Sequence, residues 1–235
     1  MFFRKMRRKI REILHRTDRM EANLESITYQ TYYHSNQEKI FSFNHFFDKS
    51  PQSRWQRKYQ QCGTIKFYLP YALDDWLQSI ILRTSDFYDI ASLQRVDKYL
   101  PSNATICDIG ANVGNHSIYW AMVRGAARIY AFEPIKETYD LLCKNIALNG
   151  LDNKCNLFHL ALGEQQSRGS IKASFNDNIG ATQICNDTSG ELIIESLDRL
   201  ENLGTFAHKI DFVKIDVEGF EGEVLSGGGG ILCST

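Results

Sequence analysis

The segment Asp108–Ser117 constrains the fold more than any other part of the chain. It follows the strand-forming residues 105–107 and precedes an apolar-periodic segment, residues 118–122, so the pattern predicts a buried strand, a glycine-rich turn and a helix. Such a junction sets a small-molecule crevice at the carboxyl end of a parallel strand, beside a helix N-terminus. Gly110 and Gly114 omit side chains where a ligand would approach the backbone. We therefore expect a ligand site at this turn.

The charges near the turn narrow the class of ligand. The carboxylate of Asp108 would repel a phosphate, but it suits a cationic or hydroxyl-rich ligand. Residues 127–132 predict a second buried strand that ends at Glu133, where an acid accepts hydrogen bonds from a ribose diol in doubly wound folds. Together these acids predict a positively charged nucleoside, and S-adenosylmethionine fits that description. The residues expected to bind this cofactor are Asp108, Gly110, Asn112, Gly114, Asn115 and Glu133.

Three segments carry a resemblance to a known family. They are Asp108–Ser117, Ala131–Pro134 and Asp211–Glu221, the last of which contains the signature Ile-Asp-Val-Glu-Gly. Over residues 67–228 the chain resembles the FkbM family of S-adenosylmethionine-dependent methyltransferases. The resemblance implies an α/β fold, a Rossmann-like class I methyltransferase sheet with helices on both faces. A nicotinamide-binding domain would instead show Gly-x-Gly-x-x-Gly, where this chain has Gly-x-x-x-Gly.

The pattern along the chain predicts a basic N-terminal helix and irregular extension, residues 1–66, and an FkbM-type methyltransferase domain, residues 67–235. Residues 1–26 place apolar side chains at helical spacing among arginines and lysines, which fits either a helix docked on protein or one lying on an anionic membrane surface. Residues 163–190 predict a hairpin insertion or a functional loop. We expect the sheet to lack the C-terminal strands of this class, which leaves the strand at residues 210–217 at an open edge.

Candidate catalytic side chains follow this fourth core strand. Lys214, Asp216 and Glu218 alternate along the strand and the turn after it, so they point to one face near the carboxyl end. Methyl transfer to a hydroxyl needs a group that orients the acceptor and takes its proton. Asp216 is the first candidate for that role and Glu218 the second. The alternative is structural, with an ion pair between Lys214 and Asp216 and with Glu218 capping the next helix.

Several other polar residues have open roles. His116, in the first turn of the helix after the glycine turn, can reach an acceptor or simply pack. Asn178 and Gly180 lie in the polar segment and are candidates for substrate contact. Asp74 and Asp198 precede apolar-periodic residues, and we expect each to open a helix.

Composition limits the classes of function. The 235 residues carry a formal net charge of -1, which gives no global attraction to nucleic acid. The six cysteines are widely spaced and predict neither a metal site nor a disulfide framework, which favours a reducing compartment. No apolar run approaches the ~20 residues that span a bilayer, and the basic start lacks a signal-peptide core. We expect a cytoplasmic protein, with peripheral contact at the inner face of the membrane as an option for the N-terminal helix.

The resemblance implies a methyltransferase that uses S-adenosylmethionine and methylates a hydroxyl of a small-molecule or glycan acceptor, such as a sugar of a glycan, a glycolipid or a secondary metabolite. Oxygen is favoured over nitrogen because the chain contains no Asn/Asp-Pro-Pro-aromatic segment. One alternative is a non-catalytic, cofactor-binding remnant of the same fold. The other is an RNA methyltransferase that uses the basic N-terminal helix as an electrostatic arm, which the near-neutral net charge disfavours.

Overall fold

The computed structural model describes residues 30–43, 64–175 and 177–234, which belong to two compact units, residues 1–39 and 40–235. The basic helix predicted for residues 1–26 lies outside the described residues. In the first unit, residues 30–35 are helical. Among the residues described in either unit, no helix is both long and apolar enough to cross a membrane.

In the second unit, strands and helices alternate between residues 105 and 158, and four further strands follow before the next α-helix. In chain order its strands are β1 (Ile40–Phe43), β2 (Ile65–Tyr68), β3 (Thr105–Ile109), β4 (Arg128–Phe132), β5 (Cys155–Phe158), β6 (Ala161–Leu162), β7 (Ser167–Ala173), β8 (Gln183–Asn186), β9 (Leu192–Glu195) and β10 (Phe212–Ile215). Its α-helices are α1 (Trp76–Thr84), α2 (Ile90–Asp97), α3 (Asn115–Ile118), α4 (Lys136–Leu148), α5 (Leu197–Asn202), α6 (Glu221–Ser226) and α7 (Gly229–Ser234). A π-helical turn, Tyr119–Val123, continues α3, and a 3-10 turn, Ile179–Ala181, precedes β8.

A parallel four-stranded sheet lies at the centre of this unit. Its order is β10-β3-β4-β5, so the chain moves outward from β3 in one direction and returns to its other side with β10. All five residues of β3 are buried, as expected for the middle of a parallel sheet covered on both faces. This reversal of strand order is where α/β proteins form ligand crevices. The predicted Rossmann-like α/β fold is confirmed.

Helices cover both faces of the sheet, with an apolar cluster on one face and a buried acid on the other. On one face, Cys107 and Ile109 join a buried apolar cluster with Leu197 of α5 and Val224 of α6. On the other face, Asp108 of β3 faces the turn that starts α3. Within the described part of the chain, β10 pairs with β3 and with no strand on its other side.

A second four-stranded sheet, in the order β6-β9-β7-β8, contains the insertion predicted between residues 163 and 190. Strands β7 and β8 pair antiparallel, which confirms a hairpin. The connection between them carries the 3-10 turn at residues 179–181. This hairpin reaches the carboxyl edge of the central sheet, as described below.

Two helix starts differ from the sequence prediction. Asp75, rather than Asp74, caps α1, and its carboxylate accepts a hydrogen bond from the Gln78 backbone N–H at 2.9 Å. Ser196 caps α5, whereas the Asp198 carboxylate accepts hydrogen bonds from backbone N–H groups at the start of α7. The cap of α1 is thus shifted by one residue, and Asp198 is held instead by backbone groups 32 and 33 residues away.

Asn145 joins α4 to β2 and to the glycine turn. Its fully buried side chain accepts a hydrogen bond from the Tyr68 backbone N–H at 2.6 Å and donates one to the Val113 carbonyl at 2.9 Å. One turn later, the partly exposed Asn149 makes the same pair of bonds to the backbone of Lys66.

We expect Asn145→Ala to lower the free energy of unfolding by about 2–4 kcal/mol, because a buried carbonyl and a half-buried N–H lose their partners. Asn149→Ala is the matched control and should cost about 1 kcal/mol, since water can replace its side chain. Urea denaturation of both variants measures the difference. Equal losses for the two variants would contradict this account of the α4 contacts.

Candidate active site

A cavity opens at the carboxyl ends of β3, β4 and β10. The glycine turn, the start of α4, the 3-10 turn of the hairpin and the segment after β10 form its walls. Its apolar part includes Phe132, Ile135, Leu160 and Ile179, and its polar part includes Asn112, His116, Glu133, Lys214, Asp216 and Glu218. The predicted crevice and most of the predicted site residues therefore lie at one place.

The backbone of the glycine turn takes conformations that suit glycine. Gly110 and Gly114 have φ angles of +73° and +90°. A Cβ atom at Gly110 would overlap the carbonyl oxygen of Asp216, and one at Gly114 would lie 2.9 Å from the Leu142 side chain. The two glycines thus make room for neighbouring protein atoms, and Gly110 also lines the cavity where we expect a ligand to approach the backbone.

Glu133 ends β4 and lies on the cavity wall. Its side chain is buried, with 6% relative exposure, and its two oxygens accept hydrogen bonds from the backbone N–H groups of Asn112 (3.0 Å) and Ile135 (2.9 Å). Burial raises the pKa of this carboxyl to about 7, although the two backbone hydrogen bonds act in the opposite direction. The carboxylate therefore fixes the turn against the start of α4 and faces the cavity, where sequence reasoning expects a ribose.

Asp108 occupies a different place from the one expected. It is fully buried beneath the turn and does not line the cavity. Its Oδ2 accepts a hydrogen bond from Ser117 Oγ at 2.6 Å, and its Oδ1 lies 3.2 Å from Lys214 Nζ. The Lys214 ammonium, which does line the cavity, also donates to the carbonyls of Ile109 and Gly110. Lys214 thus lies between Asp108 and the cavity, because β10 sets the two side chains in register.

Asp216 and Glu218 lie on the cavity rim, together with Lys214, as the alternating spacing predicts. The Asp216 carboxylate lies 3.7 Å from Lys214 Nζ, and its side chain is 61% exposed. Partial burial raises the pKa of Glu218, and the charges of Asp216 and Glu221 add to this effect. Glu221, rather than Glu218, binds the backbone before α6, with its Oε2 accepting from the Gly219 N–H at 3.0 Å.

The two asparagines of the predicted site bind the backbone. Asn115 is buried, and its amide accepts from the Tyr88 N–H at 2.9 Å and donates to the Tyr88 carbonyl at 3.0 Å, so it fixes Tyr88 on the cavity wall. Asn112, with a φ angle of +52°, accepts from the Val113 N–H at 2.7 Å through Oδ1. Asn115 therefore shapes the cavity by holding the backbone of Tyr88 in place.

His116 lies on the same wall. Its ring stacks on Trp120 with 5.6 Å between ring centroids. Burial lowers the pKa of His116, and the positive charge of Lys214 lowers it further, against smaller opposite effects of nearby carboxylates. Both effects favour the neutral imidazole.

Asp75 positions the hairpin beside the cavity, a role that the sequence did not indicate. Besides capping α1, this buried carboxylate accepts a hydrogen bond from the Ile179 N–H at 2.9 Å, so it joins α1 to the hairpin. A side chain at Gly180 would overlap the amide of Asn112, which shows how closely the hairpin covers the glycine turn. The Asp-x-x-Gln spacing of Asp75 and Gln78 is a sequence signal for the cap. The partner 104 residues away has no such signal.

A comparison with known protein families shows to which family this chain belongs. The family model described as the methyltransferase FkbM domain matches residues 108–235, more than half of the chain. The chain belongs to the FkbM methyltransferase family. It is 30% identical over 177 residues to the methyltransferase sdnD of Sordaria araneosa, a match that covers 61% of this chain and 65% of sdnD. The chain thus spans somewhat less than two thirds of that relative.

Two solved structures give partial superpositions. The FkbM methyltransferase of Methylobacillus flagellatus KT has 15% identity and a TM-score of 0.41, over 71% of this chain and 50% of that one. Trm5 of Methanocaldococcus jannaschii, solved in complex with adenosine, has 33% identity and a TM-score of 0.25, over 28% of this chain and 20% of that one. These scores are low, and the family assignment comes from the family model.

The raised pKa of Glu133 makes stability depend on pH. Between the ordinary value of 4.5 and about 7, the folded protein holds a proton that the unfolded chain has released. The free energy of unfolding therefore falls as pH rises through this window. We expect Glu133→Gln to remove this dependence. Between pH 4.5 and pH 8, the free energy of unfolding of the variant should rise by roughly 3 kcal/mol relative to that of the wild type.

Urea denaturation at several pH values between 4.5 and 8 measures this change. Glu164→Gln, at an exposed position, is the control and should follow the wild-type pH dependence. Parallel curves for the wild type and Glu133→Gln would show that the Glu133 carboxyl titrates at its ordinary pKa.

Proposed function

We propose that the protein is an S-adenosylmethionine-dependent methyltransferase that methylates a hydroxyl group, with a sugar as the acceptor. The observation that carries this proposal is the buried Glu133 carboxylate, which ends a central parallel strand and faces the cavity. Membership of a methyltransferase family supports the reaction type. The sugar acceptor follows from the family resemblance noted in the sequence.

The cavity residues fit this cofactor. Glu133 oxygens, each holding one backbone N–H, retain lone pairs that can accept hydrogen bonds from the two ribose hydroxyls. The apolar side chains of Ile135 and Leu160 can cover the adenine. When bound, the cofactor supplies a methyl group activated by its positive sulfur.

The charge around the turn also favours a cationic cofactor. Lys214 is one ammonium close to two carboxylates, those of Asp108 and Asp216, and Glu218 adds a third carboxylate on the rim. The local charge is therefore negative in spite of the lysine, and it attracts a sulfonium and an ammonium group. In this proposal Asp108 acts indirectly, by neutralising Lys214 and holding it against the turn.

Asp216 is our candidate for the group that orients the acceptor and takes its proton. Its carboxylate is exposed on the cavity rim, and Lys214 restrains it from one side. With the cofactor bound, an acceptor hydroxyl that takes the methyl group from sulfur, breaking the sulfur–carbon bond, would lose its proton, and the Asp216 carboxylate would accept it. His116 on the same wall, whose neutral form is favoured, is a second candidate for this role, and Glu218 is a third.

Titration of S-adenosylhomocysteine into the protein, followed by calorimetry, tests cofactor binding. We expect saturable binding that Glu133→Ala weakens by roughly 10- to 100-fold, because the ribose loses its hydrogen-bond acceptors. Asp140→Ala, an exposed acid on α4, is the control and should leave affinity unchanged. A flat trace with folded protein would overturn the proposal.

Methyl transfer from labelled S-adenosylmethionine to a panel of sugars and hydroxylated metabolites tests the role of Asp216. With any acceptor that is methylated, we expect Asp216→Asn to lower kcat, measured at saturating cofactor, by roughly 100-fold or more. Asp152→Asn, at an exposed position away from the cavity, serves as the control. Near wild-type turnover of Asp216→Asn would remove Asp216 from the chemistry and leave His116 as the next candidate.

A further inference from the structure

We propose that Trp76, at the start of α1, forms an outer subsite for a sugar ring of the acceptor. The proposal rests on the function proposed above and extends it to an acceptor with at least two rings. Trp76 is 55% exposed, whereas Trp120 is almost fully buried in the core. Trp76 lines a second, open cavity together with Asp74, Ser79, Asp177 and Asn178.

The backbone of Trp76 is held on both sides. Its N–H donates to the Asp177 carbonyl at 2.9 Å, and its carbonyl accepts from Ser79 Oγ at 2.7 Å. The neighbouring Asp75 joins α1 to the hairpin through its second carboxylate oxygen. The exposed indole therefore has a fixed base, which lowers the entropy lost when a ring stacks on it.

The polar groups around the indole select the chemistry of the ligand. The exposed carboxylates of Asp74 and Asp177 have no hydrogen-bond or ion-pair partner among the residues that the structure describes. They accept hydrogen bonds and repel phosphates and carboxylates. A ligand that fits both features has one apolar face for the indole and several hydroxyl or amino donors, as a pyranose ring does. An anionic RNA backbone does not fit.

The outer cavity shares its walls with the cofactor cavity. Leu77 lines the inner cavity and Trp76 the outer one, and they are consecutive residues of α1. In the hairpin, Ile179 and Gly180 belong to the inner cavity, and Asp177 and Asn178 to the outer one. An acceptor of two or more rings can therefore hold one ring on Trp76 while another reaches the rim of the inner cavity.

Saturation-transfer NMR with the full chain, in the presence of S-adenosylhomocysteine, tests this subsite. The probes are methyl glycosides of glucose, galactose, mannose and rhamnose, with glucosamine and disaccharides of these sugars. We expect disaccharides to bind more tightly than monosaccharides, and Trp76→Ala to weaken their binding about tenfold. Trp76→Phe should retain most of the affinity, and Tyr99→Ala, which removes another exposed aromatic ring, is the control.

The readouts separate this proposal from the function on which it rests. Cofactor affinity, measured by calorimetry, should be the same in Trp76→Ala and in the wild type. If sugars bind through Trp76 but the cofactor does not bind, the methyltransferase proposal fails and the subsite stands. Tighter binding of glucosamine than of the neutral sugars would identify an amino sugar as the ring at Trp76. Equal sugar binding by Trp76→Ala and wild type, or no binding of any probe by protein that binds cofactor, would overturn the subsite.

Discussion

The buried carboxylate of Glu133 is the interaction on which the rest of the site depends. It receives one backbone N–H from the glycine turn, at Asn112, and one from the start of α4, at Ile135. A buried acid is costly without such partners. Because Glu133 binds both segments, it fixes the mouth of the cavity between β3 and β4 and leaves a hydrogen-bond acceptor facing inward.

A second network beneath the turn sets the charge of the site. Lys214 on β10 lies close to Asp108 on β3 and donates to the carbonyls at the end of β3, so one ammonium joins the strands on either side of the switch point. It neutralises an acid that burial would otherwise isolate. The acids that remain on the rim, Asp216 and Glu218, then leave this side of the cavity with a net negative charge.

Local patterns were enough to predict the parallel sheet, the glycine turn, the hairpin insertion and the positions of Glu133, Asp216 and Glu218. They did not predict that Asp108 is buried beneath the turn instead of lining the cavity. That position depends on a contact with Lys214, which lies more than 100 residues away in another strand. Asp75 was missed for the same reason: its second partner, Ile179, lies in the hairpin. Periodicity and spacing report the face on which a side chain lies, but a contact between distant segments depends on how the strands and loops pack.

A crystal structure of the protein with bound S-adenosylhomocysteine tests the central claim most directly. Our account predicts the nucleoside in the cavity between β3 and β4, with both ribose hydroxyls within about 3.2 Å of the Glu133 carboxylate oxygens. A nucleoside bound elsewhere, or in the cavity with its ribose turned away from Glu133, would contradict it.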